Sequence, residues 1–359
     1  MAITEEVAAV AGTGLDNSLL FWRRETGTGS WQREQVDGPG SVLPLPIGPN
    51  IAQVGESVVI AATGSDGSPL FYWCQTGTTS WHCEQVDSPQ SCVPSPSVAQ
   101  VGDAAVLATQ APDGSLFCYK QPIGGKLWQA ERVAAPGSTL APPSLAQVGD
   151  STVIGALGQG NTLMFYWQQI GTNQWHAEQV TGPQPQAAGD LTTYAPSVAQ
   201  VGNSAVIAAQ GPQGSLMFYW QQIGSPPPWN AEQVAGPGSI SAAPAGPSVA
   251  QVGDSSVIVA TGPSNSLVAW WQTIGTRQWN REVVGGPGTS LMSPSVAQVA
   301  GSSVIAVRSN GATALSFTQA IGAAPWSQQQ IDGRGSVNGP LTVTQLSVTT
   351  LPIPSPPKI

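Results

Sequence analysis

The sequence predicts an all-β fold, a seven-bladed β-propeller of four-stranded antiparallel blades, and three observations carry that prediction. First, the motif (S/N)xAQV, or a close variant, recurs along the whole chain. Its glutamines are Gln53, Gln100, Gln147, Gln200, Gln251, Gln298 and Gln345, at intervals of 47, 47, 53, 51, 47 and 47 residues. Second, each interval holds four short runs with period-2 patterning separated by turn residues, which is the signature of a propeller blade. Third, the two ends complement each other. EEVAAVAGTG (5–14) matches GESVVIAATG (55–64), a second strand, whereas LTVTQL (341–346) is a first strand with no unit after it. The last strand therefore completes the first blade, and its backbone hydrogen bonds leave no open edge. A single domain, 1–359, follows: blade 1 from 5–40 plus 341–348, blades 2–7 from 50–339, and an extended tail at 351–359.

Within a unit, PSVAQV reads as the first strand, and a turn at GD or GN leads to a second strand such as SSVIVATG. A turn such as PDGS or PQGS leads to a third strand, LMFYWQQ. A further turn, IGTNQ, leads to the fourth, WHAEQV, before a Pro/Gly-rich crossing. The 42 Gly and 32 Pro belong to these turns rather than to disorder, because 41% of residues are hydrophobic and 13 are Trp. No helical periodicity or heptad is present.

The net charge of −9, with 11 scattered Lys and Arg, argues against nucleic acid, which needs a basic face. No run approaches eighteen apolar residues, so no helical membrane insertion is expected. MAITEEVAAVAG is acidic and lacks a basic region before its apolar run, so it does not read as a secretory signal. The expectation is a cytoplasmic protein, or one exported by a route that the sequence does not display. The oligomeric state is open. Two histidines without ligand spacing argue against a zinc site, and no cofactor is expected. Cys74 and Cys83 flank the turn at 77–80 symmetrically, which leaves a disulfide between them as an option.

Pairing the third and fourth strands outward from their turn puts Trp167 opposite Glu178, Gln169 opposite His176, and Tyr166 opposite Gln179. One face of the hairpin then carries Tyr166 and Trp175, and the other carries Trp167, His176 and Glu178. The Trp175 position is tryptophan in every unit: Trp31, Trp81, Trp128, Trp175, Trp229, Trp279 and Trp326. The Tyr166 position is always aromatic: Trp22, Tyr72, Tyr119, Tyr166, Tyr219, Trp270 and Phe317. Columns filled in all units read first as inter-blade packing, with a direct ligand role as the alternative.

The Trp167 position behaves differently. It is Trp73, Trp167, Trp220 and Trp271 in four units, but Arg23, Lys120 and Thr318 in the others. Its partner column is Glu34, Glu84, Glu131, Glu178, Glu232 and Glu282, with Gln329 in blade 7. Beside Arg23 or Lys120 the glutamate reads as half of a cross-strand ion pair. Beside an indole it suits a sugar, whose C–H face packs on the ring while the carboxylate accepts two hydroxyls. The four Trp-bearing blades also carry His82, His176, Asn230 and Asn280, where the others have Gln32, Gln129 and Ser327. These twelve residues, with Trp81, Trp175, Trp229 and Trp279, are the candidate carbohydrate contacts.

An enzyme is not expected. A catalytic constellation in a ring of near-copies should appear as convergent breaks in the repeat. The breaks here, Lys126, Asp190, Tyr194, Arg308 and Arg334, scatter over different blades, and no nucleophile elbow or phosphate loop accompanies them. The turn aspartates of VGD and PDG sit where local hydrogen bonding favours them.

The strand order, the SPSVAQV first strand, the (D/N)GSL turn and the Trp/Glu-bearing outer hairpin resemble the seven-bladed β-propeller lectins of bacteria. More loosely they are similar to tectonin and tachylectin-like repeat lectins. The resemblance spans all seven units. It implies glycan or glycoconjugate partners bound multivalently between blades, with fucose or O-methylated sugars preferred, and no cofactor. Arg23, Lys120, Thr318 and Gln329 depart from the pattern, so blades 1, 3 and 7 are expected to lack sites. The rival reading is a protein-binding propeller scaffold, whose variation would fall on crossings such as 181–196 and 235–247.

Overall fold

A computed structural model describes residues 3–24, 29–43, 48–93, 95–182, 195–225, 227–241, 246–323 and 325–350. Among them are seven four-stranded antiparallel sheets. Blade 4 is typical, with strands Ser144–Val148, Ser151–Gly158, Thr162–Gln169 and His176–Thr181 in sheet order. Its second strand is buried along nearly its whole length, whereas its outer strand is only partly covered. That explains the sequence: a strand covered on both faces reads as a continuous apolar run, and only a half-covered strand alternates. In blade 1, Thr342–Thr350 pairs with Ile3–Thr13 from Ile3↔Thr350 to Ala11↔Thr342, so the C-terminal strand closes the ring.

Among the described residues there is no single central core. Seven hydrophobic clusters each join one blade to the next. Between blades 4 and 5, for example, Val148, Val153 and Phe165 pack on Val198, Ile207, Tyr219 and Trp229. Each blade therefore depends on both neighbours for burial.

The recurring (S/N)xAQV motif supplies the polar half of this joint. Each motif glutamine accepts a hydrogen bond from a backbone N–H of the preceding blade. Gly55 N–H donates to Gln100 (2.8 Å), Gly102 N–H to Gln147 (2.9 Å), Gly149 N–H to Gln200 (2.8 Å) and Gly202 N–H to Gln251 (2.8 Å). Gly253 to Gln298, Ala300 to Gln345 and Ser347 to Gln53 complete the circle. The first residue of the motif bonds in the opposite direction, since Ser97, Ser144, Ser197 and Ser248 each accept from a backbone N–H of the next blade's inner strand. Gly102 sits at φ +55, in the left-handed turn that follows the inner strand. Blade 7 forces Ala300 into the same region, at φ 51, where a Cβ is strained.

One expectation is corrected and one open option is closed. Trp167 lies opposite His176, Tyr166 opposite Ala177 and Phe165 opposite Glu178, a slip of two residues from the expected pairing. The connection is longer than a tight hairpin because Trp175 does not pair in the strand; its indole turns to Glu131 of the preceding blade. A slip of two preserves side-chain parity, so the division of faces stands. Tyr166 and Trp175 pack toward blade 3, and Trp167 toward blade 5. The same slip removes the disulfide. Cys83 lies opposite Tyr72, Cys74 contacts Thr78, and both thiols are free. The tail 351–359, Asp190 and Tyr194 lie outside the described residues.

Candidate functional site

The outer halves of adjacent blades enclose crevices, and the residue at the Trp167 position lines four of them. Between blades 4 and 5 the crevice measures about 500 Å³, walled by Phe165, Trp167 and Glu178 on one side and Gln221, Ile223 and Pro227 on the other. Its counterpart between blades 2 and 3, at about 880 Å³, has Phe71, Trp73 and Glu84 facing Gln121 and Ile123. Between blades 5 and 6 it is about 410 Å³, with Phe218, Trp220 and Glu232 facing Gln272 and Ile274. All three lie within the roughly 300–1,000 Å³ of small-molecule sites. Where Arg23 replaces the tryptophan, only about 10 Å³ remains between blades 1 and 2.

The glutamate column holds the blades together as well as facing the crevice. Glu178 accepts the indole N–H of its own Trp167 on Oε1 (3.0 Å) and that of Trp229, in the next blade, on Oε2 (3.0 Å). Glu84 likewise accepts from Trp73 (3.1 Å), Trp128 (3.1 Å) and Gln121 (2.9 Å). Glu232 accepts from Trp279 (3.0 Å) and Gln272 (3.1 Å), Glu282 from Trp326 (3.1 Å), and Glu34 from Trp81 (3.1 Å). The invariant tryptophan is thus a latch as well as a packing surface, and Trp229 also meets Phe165 edge-on at 4.8 Å. Blade 7 tests the assignment. With Gln329 in place of glutamate, its side chain donates to Gly29, and the buried Trp31 N–H is left without a partner.

Among the described residues, Glu84, Glu178 and Glu232 accept only from neutral N–H donors. Blade 3 differs. Lys120 reaches Glu131 at 3.4 Å, donates to the Gln168 carbonyl of blade 4, and lies 5.5 Å from the Trp175 ring. Burial pushes the Glu131 carboxyl up, but hydrogen bonds from Trp175 and Gln168, with the Lys120 charge, outweigh it and hold the group below the ordinary carboxylate range.

The association of His82 and His176 with the Trp-bearing blades has a structural source. Each histidine lies directly across from its tryptophan and stacks on it, at 4.1 Å for Trp167–His176 and 4.1 Å for Trp73–His82. Asn230 and Asn280 oppose Trp220 and Trp271 in the same way, and Asn230 donates to the Trp220 carbonyl. Neither histidine, nor Asn230, lines its open crevice; each histidine buttresses an indole that does.

Sequence reasoning missed the glutamines Gln121, Gln221 and Gln272 on the opposite wall. The available signal was a glutamine recurring two positions after the always-aromatic column of the third strand, as Gln121 follows Tyr119, Gln221 follows Tyr219 and Gln272 follows Trp270. Of the breaks in the repeat, Lys126 lines the crevice between blades 2 and 3, whereas Arg308 donates to the Val337 carbonyl. Asp66 and Asp113 act locally, accepting from Ser68 and Ser115 two residues on, whereas Asp150 of a VGD turn lines the crevice between blades 4 and 5. No group of three His, Cys, Asp or Glu among the described residues could hold a metal.

With this geometry in hand, the sequence over residues 2–194 matches the family described as outer membrane protein assembly factor BamB. The chain belongs to that family. No curated protein matches it. Among solved structures, this family member is similar in fold to the BP39L lectin of Burkholderia pseudomallei, with TM-score 0.76, 15% identity, 94% of this chain and 99% of that one covered. An Aleuria aurantia lectin mutant, in complex with Fucalpha1-6GlcNAc, superimposes with TM-score 0.57 and 11% identity over 82% of this chain and 98% of that one. A prolyl endopeptidase aligns with TM-score 0.56 and 11% identity, over 90% of this chain but only 50% of its own. At these identities the likeness concerns the fold.

Proposed function

We propose that the protein is a non-catalytic, multivalent carbohydrate-binding lectin whose sites are the open inter-blade crevices. The observation that carries this reading is the recurrence, in three crevices of one ring, of an indole wall, a carboxylate that accepts from neutral N–H donors and a glutamine opposite. Such a wall packs on the C–H patch of a pyranose, and the carboxylate and amide serve its hydroxyls. Trp73, Trp167, Trp220 and Trp271, with Glu84, Glu178, Glu232 and Glu282, are the contacts. His82, His176, Asn230 and Asn280 orient the indoles, and Trp81, Trp175, Trp229 and Trp279 fix the blade spacing. The resemblance to fucose-binding propellers supports fucose or an O-methylated sugar as the first ligands to try. Shallow sites on one rigid ring gain avidity on a glycan-covered surface, by about 10²–10⁴ when the spacing matches.

The test is a glycan array with wild-type protein and the Glu178→Gln, Glu84→Gln and Glu232→Gln variants. Gln329 shows that the ring accepts glutamine at this position. Binding that weakens stepwise as the glutamates are removed, with unchanged folding, supports the assignment. A well-folded sample that binds no glycan overturns it. The family to which the chain belongs favours the second reading, a platform for protein partners in outer-membrane assembly. That reading predicts binding that survives all three substitutions.

A further inference from the structure

Resting on the lectin reading, we infer that the crevice between blades 4 and 5 takes a cationic sugar, an amino sugar whose amine is free rather than acetylated. The chain itself supplies a ligand of this type one blade earlier. The Lys120 ammonium is held there by Glu131, the Gln168 carbonyl and the Trp175 ring. The corresponding trio one blade on is Glu178, Gln221 and Trp229, but Trp167 stands where the lysine stood. The cation is gone and its carboxylate remains.

Two further observations favour this crevice. Gln221 is only 7% exposed, lines the crevice, and its Nε2 has no partner, which calls for an acceptor such as a sugar hydroxyl or ring oxygen. In the other two open crevices the equivalent Gln121 and Gln272 already donate to glutamate. The charges also differ. Asp150 and Glu178 line this crevice with no basic residue, whereas Lys126 joins Glu56 and Glu84 between blades 2 and 3, and Arg277 joins Glu232 between blades 5 and 6. An ammonium gains most where two carboxylates lack a fixed countercharge, and charge-assisted hydrogen bonds are about twice as strong as neutral ones.

The experiment is isothermal titration of the full chain with glucosamine trisaccharide, its fully N-acetylated counterpart, methyl fucoside and a tri-lysine peptide. Asp150→Asn and Glu178→Gln variants are titrated in parallel. The expected result is glucosamine trisaccharide binding about tenfold tighter than the acetylated form, with most of that preference lost in Asp150→Asn, whose exposed side chain leaves the fold intact. Equal affinity for the two trisaccharides, or binding of the fucoside alone, overturns this inference and leaves the lectin reading standing. Tri-lysine binding without glucosamine binding also overturns it, in favour of a protein ligand. No binding of any sugar overturns both readings.

Discussion

At the level of single residues, one glutamate per blade does two things. It accepts indole N–H groups from two blades and presents its charge to the crevice between them, as Glu178 does for Trp167 and Trp229. Glu131 extends the pattern with a lysine, and this has a consequence in acid. Its folded-state pKa lies below the ordinary 4.5, so it contributes stability above that pH. The contribution is lost as pH falls through the depressed value. Thermal melts between pH 6 and pH 3 should therefore show a steeper loss for wild type than for Glu131→Gln, and Lys120→Met should reduce the difference. The role of Glu178 was partly legible in the sequence, because the column was nearly invariant and paired with tryptophan. Its second donor was not, since Trp229 lies 51 positions away and on another blade.

At the level of the element, the outer hairpin is the functional unit, and its register decides which side chains meet. Parity along the strands is legible from alternation alone, which puts Trp167 and Glu178 on one face. The two-residue slip is not, because the length of the connection depends on Trp175 leaving the strand to reach Glu131. The slip places His176 on Trp167, and its covariation with tryptophan becomes a matter of support for the indole. The latch tryptophan carries the blade interface. Trp229 is 9% exposed, packs on Phe165 and donates to Glu178. Trp229→Ala is expected to cost about 3–5 kcal/mol, measured as a lowered denaturation midpoint. Trp31→Ala removes an indole whose N–H is already unpaired, and so should cost less.

For the whole molecule, closure is the defining property. Because every hydrophobic cluster spans two blades, removing one strand exposes two interfaces together. Deleting 341–350 would leave Ile3–Thr13 without its inner partner and would deprive Gln53 of the Ser347 N–H. The expected outcome is loss of the monodisperse, cooperatively melting species in size exclusion and calorimetry, with self-association through the open edge. A truncated chain that still melts as one unit would mean that the ring does not depend on this strand.

The sequence by itself determined the blade count, the strand order and the closure. Those rest on repetition and on period-2 alternation, which survive without knowledge of distances. It also determined which column varied, and the crevice beside Arg23 is nearly filled because a different side chain occupies the space an indole borders elsewhere. Only the tertiary structure decided what the motif glutamine is for, which donors reach each carboxylate, and that Gln221 lacks one. Each of those is a contact between blades some fifty residues apart, as Gln200 with Gly149 is. Such contacts are fixed by how the sheets stack around the ring, and no local pattern within a single unit encodes that.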